Sequence, residues 1–455
     1  MSKKTLPVQM FTPGSLTENS IVLGEKLVKQ WKIPTDRPLQ LAFGSFRQEI
    51  TVVSAARTSG LRISEPLARR MGLFFRPVLR ATYHSKSRTL RLGPLISVLI
   101  SRDNPEQLDK PFGSISMFCR ELVNACRRQG AYVYFFTPDH IQEGSDSIHG
   151  WVYDNGWIRA TMPIADVINN RLTTRKMENK PSVQHFMKEV KSRYGTHVFN
   201  ERFLDKNEVF DTLKADQALA RFMPESYLLR GLATLKKMCQ QYPVVFLKPV
   251  RGSLGKGIIR ISRQPDGTYQ TLATSVGGPR KQTYASISKL FAGLSGKMKT
   301  TRYQIQQGLT LIDHAKRPID FRALVQKNGA GIWSVTSIVA RIAGGNHFVS
   351  NLARGGTLSS VKEAVSKCIL PSEVKNTAYA KLHRASLDIA RGIDNLIPAH
   401  FGELGIDLAM DTSGKIWLLE VNSKPSKNDN TPLHEQKIRP SVKRLLEYCC
   451  YLSGF

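Results

Sequence analysis

The chain has 455 residues, 41% of them hydrophobic, and carries a net charge of +30. That length exceeds what one hydrophobic core usually organises, so we expect two or three domains rather than a disordered chain. No uncharged apolar run of about 18 residues occurs, and the first residues lack the apolar segment of a secretory signal, so we expect a cytoplasmic protein without a membrane span.

The charge and the cysteines narrow the class of protein further. The first hundred residues hold 16 Lys and Arg against 5 Asp and Glu, and a basic surface of this kind attracts polyanions. Dedicated nucleic-acid binding is disfavoured, because no block of five like charges and no RNP1-type sequence occurs. The six cysteines have no zinc-site spacing, so we expect them to be reduced.

The first predicted unit is a small β-rich domain over residues 1–92. Residues 39–55 alternate apolar and polar side chains on both sides of Gly44-Ser45, which predicts a hairpin. Ser64 is placed to cap a short helix that ends at Gly72, and residues 79–93 predict a second hairpin.

The second predicted unit, residues 93–204, is α/β. The apolar run over 92–101 is typical of a buried parallel strand, and the helical pattern over 118–130 leads to a second apolar run over 131–138. A hairpin and a connecting strand follow over 151–171. From residue 205 to 455 a third domain begins with a helix and a strand.

In this third domain, "FLKPVRGSLGKGIIRI" (246–261) predicts two strands joined by a glycine-rich turn. Backbone N–H groups of such a turn can face a phosphate, and a lysine leaving the first strand adds positive charge. The predicted phosphate-binding set is Lys248, Gly252, Ser253, Gly255, Lys256 and Gly257. The spacing is not that of a P-loop, and a flexible hairpin loop is the alternative.

Two later segments carry further polar candidates. The strand ending in Gln306-Gln307 can border a purine ring, and either Asp313 or Asp320 can accept hydrogen bonds from ribose hydroxyls. In residues 337–361 arginines stand between small residues, so that a ligand can approach them closely. A guanidinium group binds phosphate oxygens through a planar fork. The candidates in that segment are Arg341, Asn351 and Arg354, each of which alone could also be ordinary surface.

The segment "GELGIDLAMDTSGKIWLLEVNSKP" (402–425) predicts a hairpin that turns at "DTSG". A two-residue loop would set Asp407 opposite Leu418, so that Asp407, Glu420 and Asn422 project from one face. The apolar residues on the other face are Ile406, Leu408, Met410, Trp417, Leu419 and Val421. Two carboxylates and an amide favour Mg²⁺, although a solvated hairpin edge would look similar.

Taken together and in this order, these motifs resemble the ATP-grasp ligases over roughly residues 200–440. They are most similar to the YheC/YheD endospore coat-associated group, which is related to glutathione synthetase and RimK-type ligases; similarity to this group also reaches upstream through "LGPLISVLI" and "MPIADVINNR". The resemblance implies an ATP-grasp fold of the α/β (α+β) class, preceded by an α/β pre-ATP-grasp domain and the small β-rich domain. The segment Gln306-Gln307, which we call the hinge, differs from the corresponding segment of many such ligases, because glutamines stand where a Glu is common.

The resemblance also implies a role for each candidate residue. Lys206 and Lys248 would contact ATP phosphates, Gln306 and Gln307 would border the adenine, and Asp313 or its rival Asp320 would bind the ribose. The arginines facing the reacting phosphoryl group would be Arg322, Arg341 and Arg354. Mg²⁺ would be held by Asp407, Glu420 and Asn422.

The leading hypothesis is an ATP-dependent carboxylate–amine ligase that forms an amide through an acyl phosphate. Its carboxylate and amine substrates are unidentified, and an acidic peptide or polymer drawn in by the basic surface is one candidate. The first alternative is a structural or adaptor protein of the spore coat that binds nucleotide without turnover. A polyanion- or nucleic-acid-binding protein is the second.

Overall fold

The computed structural model describes residues 3–12, 17–250, 257–273, 280–344, 356–427 and 437–455. Within these ranges the strands form one closed barrel followed by three six-stranded sheets, which we call the second, third and fourth sheets. Helices accompany every sheet, so the mixed α and β character predicted from the sequence is confirmed.

The barrel is built from the first seven strands in the order β1-β5-β2-β4-β3-β7-β6, and antiparallel pairing of β1 with β6 closes it. Its strands are β1 (Lys4–Phe11), β2 (Ser20–Gly24), β3 (Leu39–Phe43), β4 (Phe46–Ala55), β5 (Leu61–Ser64), β6 (Val78–His84) and β7 (Thr89–Gly93). Its helices are α1 (Glu25–Trp31) and α2 (Glu65–Arg70).

Both predicted hairpins of the barrel are confirmed, as β3–β4 and β6–β7. The helix cap is confirmed as well, because the Ser64 hydroxyl accepts a hydrogen bond from the Leu67 N–H. Alternate side chains of the strands point inward and are fully buried, as Ile21, Leu41 and Ile63 illustrate.

The second sheet has the order β11-β10-β9-β8-β12-β13, in which β8, β9, β12 and β13 run parallel. Its strands are β8 (Leu95–Leu99), β9 (Tyr132–Phe136), β10 (Ser147–Tyr153), β11 (Trp157–Pro163), β12 (Val167–Asn170) and β13 (His197–Phe199). The helices are α3 (Ser116–Gln129), α4 (Arg175–Glu178) and α5 (Pro181–Tyr194), with short 3₁₀ turns at Gly113–Ile115 and Pro138–His140. The predicted strand-helix-strand unit is therefore confirmed as β8-α3-β9.

The third sheet is antiparallel, in the order β14-β19-β15-β16-β17-β18. Its strands are β14 (Ser226–Leu228), β15 (Val244–Pro249), β16 (Ile259–Arg263), β17 (Tyr269–Ala273), β18 (Arg280–Tyr284) and β19 (Tyr303–Gln307). The helices of this region are α6 (Lys206–Ala215), α7 (Gln217–Ala220), α8 (Leu232–Gln241) and α9 (Ile287–Thr300). The two strands predicted beside the glycine-rich turn are β15 and β16, which pair with each other.

The fourth sheet has the order β23-β22-β21-β24-β25, and the short strand β20 pairs with β21. Its strands are β20 (Asp313–His314), β21 (Arg317–Lys327), β22 (Trp333–Ile342), β23 (Thr357–Ser360), β24 (Glu403–Met410) and β25 (Ile416–Asn422). The helices are α10 (Val361–Ser366), α11 (Ser372–Leu396) and α12 (Pro440–Leu452).

One face of each of these last two sheets is apolar. The third sheet buries Leu247 and Ile305 with Leu235 of α8 and Leu290 of α9. The fourth sheet packs its apolar face against α11. Because side chains alternate along a strand, the opposite face of each sheet is left for polar groups.

Helix α12 follows the fourth sheet in sequence but packs against α3 of the second unit. Val442, Leu446 and Cys449 share a core with Phe118 and Leu122. The division of the chain at 92/93 and 204/205 into domains stays a prediction, and this last helix joins the second and third of the predicted units.

Candidate active site

The polar face of the third sheet carries Lys248 and two glutamines. Lys248 lies directly opposite Gln304, and Phe246 lies opposite Gln306, in the pairing of β15 with β19. Residues directly opposite each other point to the same side. Since Leu247 and Ile305 point into the core, Lys248, Gln304 and Gln306 share the other face. Gln304 was not among the residues predicted from the sequence.

The pKa of Lys248 reflects its burial and two neighbouring charges. Desolvation and the nearby ammonium of Lys206 together lower the pKa of this lysine to about 7, while the carboxylate of Glu420 acts in the opposite direction. Lys206 is the first residue of α6, next to the helix cap Asp205. Lys206, Lys248 and Glu420 are thus close enough to interact, although they come from α6, the third sheet and the fourth sheet.

A row of charged side chains crosses the polar face of the fourth sheet. Arg322 on β21 is directly opposite Asp407 on β24, and Asp320 on β21 is directly opposite Arg341 on β22. Arg322 donates from Nε to Oδ1 of Asp407 and from Nη2 to Oδ2, at 2.9 Å for the second bond. Arg341 donates to Asp320 and lies 3.0 Å from Oδ2 of Asp407. Two guanidinium groups therefore share one carboxylate.

Those two arginines set the ionisation of Asp407. Burial alone would raise the pKa of this carboxyl, but the positive charges and hydrogen bonds of Arg322 and Arg341 outweigh burial and lower it. In turn, the carboxylates of Asp407 and Asp320 raise the pKa of Arg341 despite its burial. Asp407 is an anion at neutral pH, with both oxygens engaged.

The three predicted magnesium ligands lie on one face of the β24–β25 pair, through a register that differs from the predicted one. Leu408, not Asp407, is opposite Leu418, and a bulge then puts Asp407 opposite Glu420 and Gly405 opposite Asn422. Without the bulge, Glu420 would point away from Asp407. An extra residue on one strand shifts the alternation of all that follow it.

The bulge also changes which residues reach the core. Ile406, Leu408, Met410 and Val421 pack there as predicted, but Leu418 replaces Leu419. Trp417 was predicted to join them and does not: it pairs with Ala409, and its Nε1 donates to Asp411 at 2.8 Å. The prediction was wrong because the sequence does not indicate where a bulge inserts.

The chemistry of this donor set fits magnesium. Among the described residues, no three His, Cys, Asp or Glu side chains form a metal-binding group. The predicted set contains only two carboxylates, with an amide oxygen as its third member. Mg²⁺ typically takes one or two carboxylates and completes its shell with water and phosphate oxygens.

The two hinge glutamines have different surroundings. Gln306 is buried, and its Oε1 has no hydrogen-bond partner within the described residues. Gln307 accepts a hydrogen bond from the Glu225 N–H at 2.7 Å and donates its own N–H to the Glu225 carbonyl at 2.8 Å. The carboxylate of Glu225 accepts from Tyr227 and Tyr242. An acidic residue thus stands beside the hinge, although it comes from a segment eighty residues earlier in the chain.

The two ribose candidates occupy different places. Asp313 is exposed on β20, where its carboxylate accepts a hydrogen bond from the Lys316 N–H at 2.8 Å. Asp320 is buried beside Arg341 in the charged row of the fourth sheet.

Part of the predicted phosphate site lies outside the described residues. This applies to Gly252, Ser253, Gly255, Lys256, Asn351 and Arg354. Gly257 is described, and it has a left-handed φ of 73° with its missing Cβ only 3.1 Å from Cγ of Pro249. A glycine is therefore required at that end of the turn.

Sequence reasoning missed the buried contacts of the segment that follows Asn422. The Ser423 hydroxyl donates to the Arg202 carbonyl at 2.9 Å, and Lys424 forms an ion pair with Glu178. Arg171 donates to the Pro425 carbonyl. These contacts bind the segment to α4 and to the residues that follow β12 and β13.

Glu403 is the centre of the same network. It is 1% exposed, pairs with Arg171 through one oxygen and lies 2.7 Å from Nζ of Lys427 through the other. Gln326 adds a hydrogen bond at 3.2 Å. Lys424 and Lys427, which follow Asn422 closely in sequence, were a visible sign of nearby carboxylates. Arg171 is 232 residues from Glu403, so nothing in the sequence indicated that pairing.

No helix in the described ranges is both long and apolar enough to cross a membrane. A model of the YheC/D-like ATP-grasp family matches residues 195–452. The endospore coat-associated protein YheD of Bacillus subtilis is 30% identical over 368 residues, which cover 80% of each chain. The endospore coat-associated protein YheC of the same organism is 23% identical over 342 residues, which cover 74% of this chain and 92% of YheC.

Among solved structures, D-alanyl-alanine synthetase A from Vibrio cholerae aligns with a TM-score of 0.43 at 10% identity, over 80% of this chain and 99% of the synthetase. The family match spans more than half of the chain, and the relative with 30% identity covers four fifths of it. The chain therefore belongs to the YheC/D-like ATP-grasp family, as its motifs predicted.

Proposed function

We propose that this protein is an ATP-dependent carboxylate–amine ligase that releases ADP and phosphate. The observation that carries the proposal is the proximity of cations and oxygen ligands from different elements. Lys248 on the third sheet lies near enough to Lys206 on α6 and to Glu420 on the fourth sheet for both to act on its pKa, and Glu420 lies opposite Asp407. Cations beside a metal site are what a nucleoside triphosphate requires.

In this proposal each candidate residue has one role. Lys206 and Lys248 bind the phosphates together with the glycine-rich turn, Gln306 and Gln307 border the adenine, and Asp313 binds the ribose. We prefer Asp313 to Asp320 because Arg341 already occupies the carboxylate of Asp320. Asp407, Glu420 and Asn422 would hold Mg²⁺, which supplies positive charge to the phosphate oxygens.

The reaction needs little covalent help from the protein. An oxygen of the substrate carboxylate attacks the γ-phosphorus, the bond to the bridging oxygen breaks, and ADP leaves. The amine nitrogen then attacks the acyl carbon, phosphate leaves with the electrons of the C–O bond, and the nitrogen loses a proton. Arg322, Arg341 and Arg354 would stabilise the transferring phosphoryl group, and positioning plus charge supplies most of the rate.

The names of the two Bacillus relatives support an association with the endospore coat. We propose that this chain shares it, with an acidic peptide or polymer as the substrate class that suits its charge of +30. A scaffold that binds nucleotide without turnover is the second candidate. The ion pairs of Asp407 with Arg322 and Arg341 favour it, since they satisfy this carboxylate without a metal.

The test is ADP and phosphate release by the purified full chain with Mg²⁺, ATP and pools of amino acids or acidic peptides. We expect release that depends on both a carboxylate and an amine, and its loss in Glu420→Gln. The matched control is Glu363→Gln on α10, whose side chain is 57% exposed. Nucleotide binding without release in any pool would favour the scaffold, and a folded protein that binds no nucleotide would overturn both candidates.

A further inference from the structure

A polar cavity lies apart from the site described above. It has a volume of about 180 Å³ and is bordered by the β3–β4 turn of the barrel, by β7, by the second sheet with the end of α5, and by the end of α12. We call it the junction cavity. None of these elements belongs to the third or fourth sheet, so the cavity is separate from the proposed nucleotide site.

One wall of the junction cavity is a fixed arginine. Arg91 on β7 lies 3.3 Å from Oδ1 of Asp166 and donates to the Ser453 carbonyl, also at 3.3 Å. Its guanidinium carbon is 4.8 Å from the centre of the Phe455 ring. These three contacts hold the guanidinium in place before any ligand arrives, which reduces the entropy that binding would lose.

Asp166 is the acidic side chain of the cavity wall, and it has little capacity left. Its Oδ2 accepts a hydrogen bond from the Leu95 N–H at 2.8 Å, while Oδ1 faces Arg91. The charge of Asp166 is therefore matched by that of Arg91, and each of its oxygens already faces one donor.

A second arginine of the wall has no such match. Arg47 donates from Nη1 to the carbonyl oxygens of Gly44 and Phe46, at 2.7 Å for the latter. It forms no ion pair with any residue in the described part of the chain. Burial lowers the pKa of Arg47, Asp166 raises it and the neighbouring charge of Arg91 lowers it. Two guanidinium groups thus face the cavity with one carboxylate between them.

We propose that the junction cavity binds a small dianion, with phosphate or a phosphate monoester as the class. Arginine pairs bind such groups through planar forks that point charge and hydrogen bonds in the same direction. The helices α5 and α12 end at the cavity, and their carbonyl dipoles oppose an anion. Arg91 donates to the Ser453 carbonyl at the end of α12, which offsets the dipole of that helix. A zwitterion is disfavoured, because each oxygen of Asp166 already faces a donor and Arg91 balances its charge.

The experiment is calorimetric titration of the full chain with inorganic phosphate, at constant ionic strength set with chloride. We expect saturable binding that Arg47→Gln weakens roughly tenfold or more, about 1.4 kcal/mol. The matched control, Arg57→Gln, removes another exposed arginine of the barrel, one that does not line the cavity, and should leave the affinity within about twofold. Arg47→Lys keeps the charge without the fork and should give an intermediate loss.

Each alternative outcome has a meaning. A phosphate monoester that binds more tightly than free phosphate identifies the group as the end of a larger molecule, whereas the reverse identifies the free ion. Equal weakening by Arg47→Gln and Arg57→Gln would overturn the proposal in favour of diffuse attraction, and so would tighter binding of a free amino acid than of phosphate. If Arg47→Gln does not fold, the absence of saturable phosphate binding to the unmodified chain still overturns it.

Discussion

Arg322 and Asp407 face each other directly across β21 and β24, and the guanidinium of the first donates to both carboxylate oxygens of the second. The proposed magnesium ligand is therefore bound to an arginine. Arg322 and a cation compete for the same oxygens. Phosphate oxygens of a nucleotide would offer the arginine another partner.

We expect Arg322→Met to raise the affinity for Mn²⁺ without nucleotide roughly tenfold, because a competing positive charge is removed. The same variant should bind ADP less tightly. Electron paramagnetic resonance of free Mn²⁺ measures the first effect, and the exposed Arg391→Met on α11 is the control. Unchanged Mn²⁺ affinity in Arg322→Met would mean that the arginine does not hold the carboxylate against the metal.

Lys248 leads to a prediction about pH. Desolvation and then the nearby Lys206 lower the pKa of this lysine to about 7. At pH 8 the free protein holds Lys248 mostly neutral, whereas a bound phosphate favours the charged form. ADP binding at pH 8 should therefore take up close to one proton, and its affinity should fall as the pH rises above 7.

Titration calorimetry in buffers of different ionisation enthalpy measures that proton uptake. Lys248→Met should bind ADP more weakly and without the uptake. If the unmodified protein takes up no proton at pH 8, Lys248 is already charged in the free state or does not contact the phosphates.

Glu403 is predicted to be critical for stability. Glu403→Gln would leave Arg171 and Lys427 buried with no carboxylate, and breaking a buried ion pair from one side typically costs about 3–5 kcal/mol. Chemical denaturation should show this loss, while Glu49→Gln on the exposed side of β4 should stay within about 0.5 kcal/mol.

The same residue gives a stability profile with pH. Burial would raise the pKa of Glu403, but Lys427 and Arg171 outweigh it and lower the pKa below its usual value of 4.5. A lowered carboxyl pKa contributes stability above pH 4.5 that is lost as the pH falls through the folded-state value. Glu403→Gln should flatten this part of the acid unfolding curve, and an unaltered curve would contradict the assignment.

Gly308 follows the hinge and permits a close approach. A Cβ there would lie 2.6 Å from the Val244 carbonyl oxygen, the same atom to which the Gly308 N–H donates. Gly308→Ala should lower the free energy of unfolding by about 1–3 kcal/mol and weaken ADP binding, since the end of β19 must move. Gly296 in α9 has open space around it, so Gly296→Ala should be neutral or stabilising by up to about 1 kcal/mol. Equal effects of the two variants would show that the approach to Val244 is not restrictive.

Local patterns predicted local structure well. The apolar runs became β8 and β9, the Gly44-Ser45 hairpin formed, and the hairpin predicted to turn at "DTSG" is the β24–β25 pair. These features depend on periodicity and turn chemistry, which a short stretch of sequence contains.

Longer-range pairings left no such signal. The barrel contains parallel pairs, such as β1 with β5 and β2 with β4, and is closed by β1 with β6, all of which join strands that are not neighbours in the chain. The bulge beside Glu420 and the pairing of Arg171 with Glu403 depend equally on tertiary context. The roles assigned to the candidate site residues stay predictions until the variants above are measured.

The position of α12 has a consequence for biosynthesis. Because Val442 and Leu446 complete the core around Phe118 and Leu122, the part of α3 that packs against α12 stays uncovered until α12 has been made. Nascent chains that expose such a surface are prone to aggregate. The middle unit can therefore close completely only after synthesis of α12, and a stalled or truncated product should depend on chaperones.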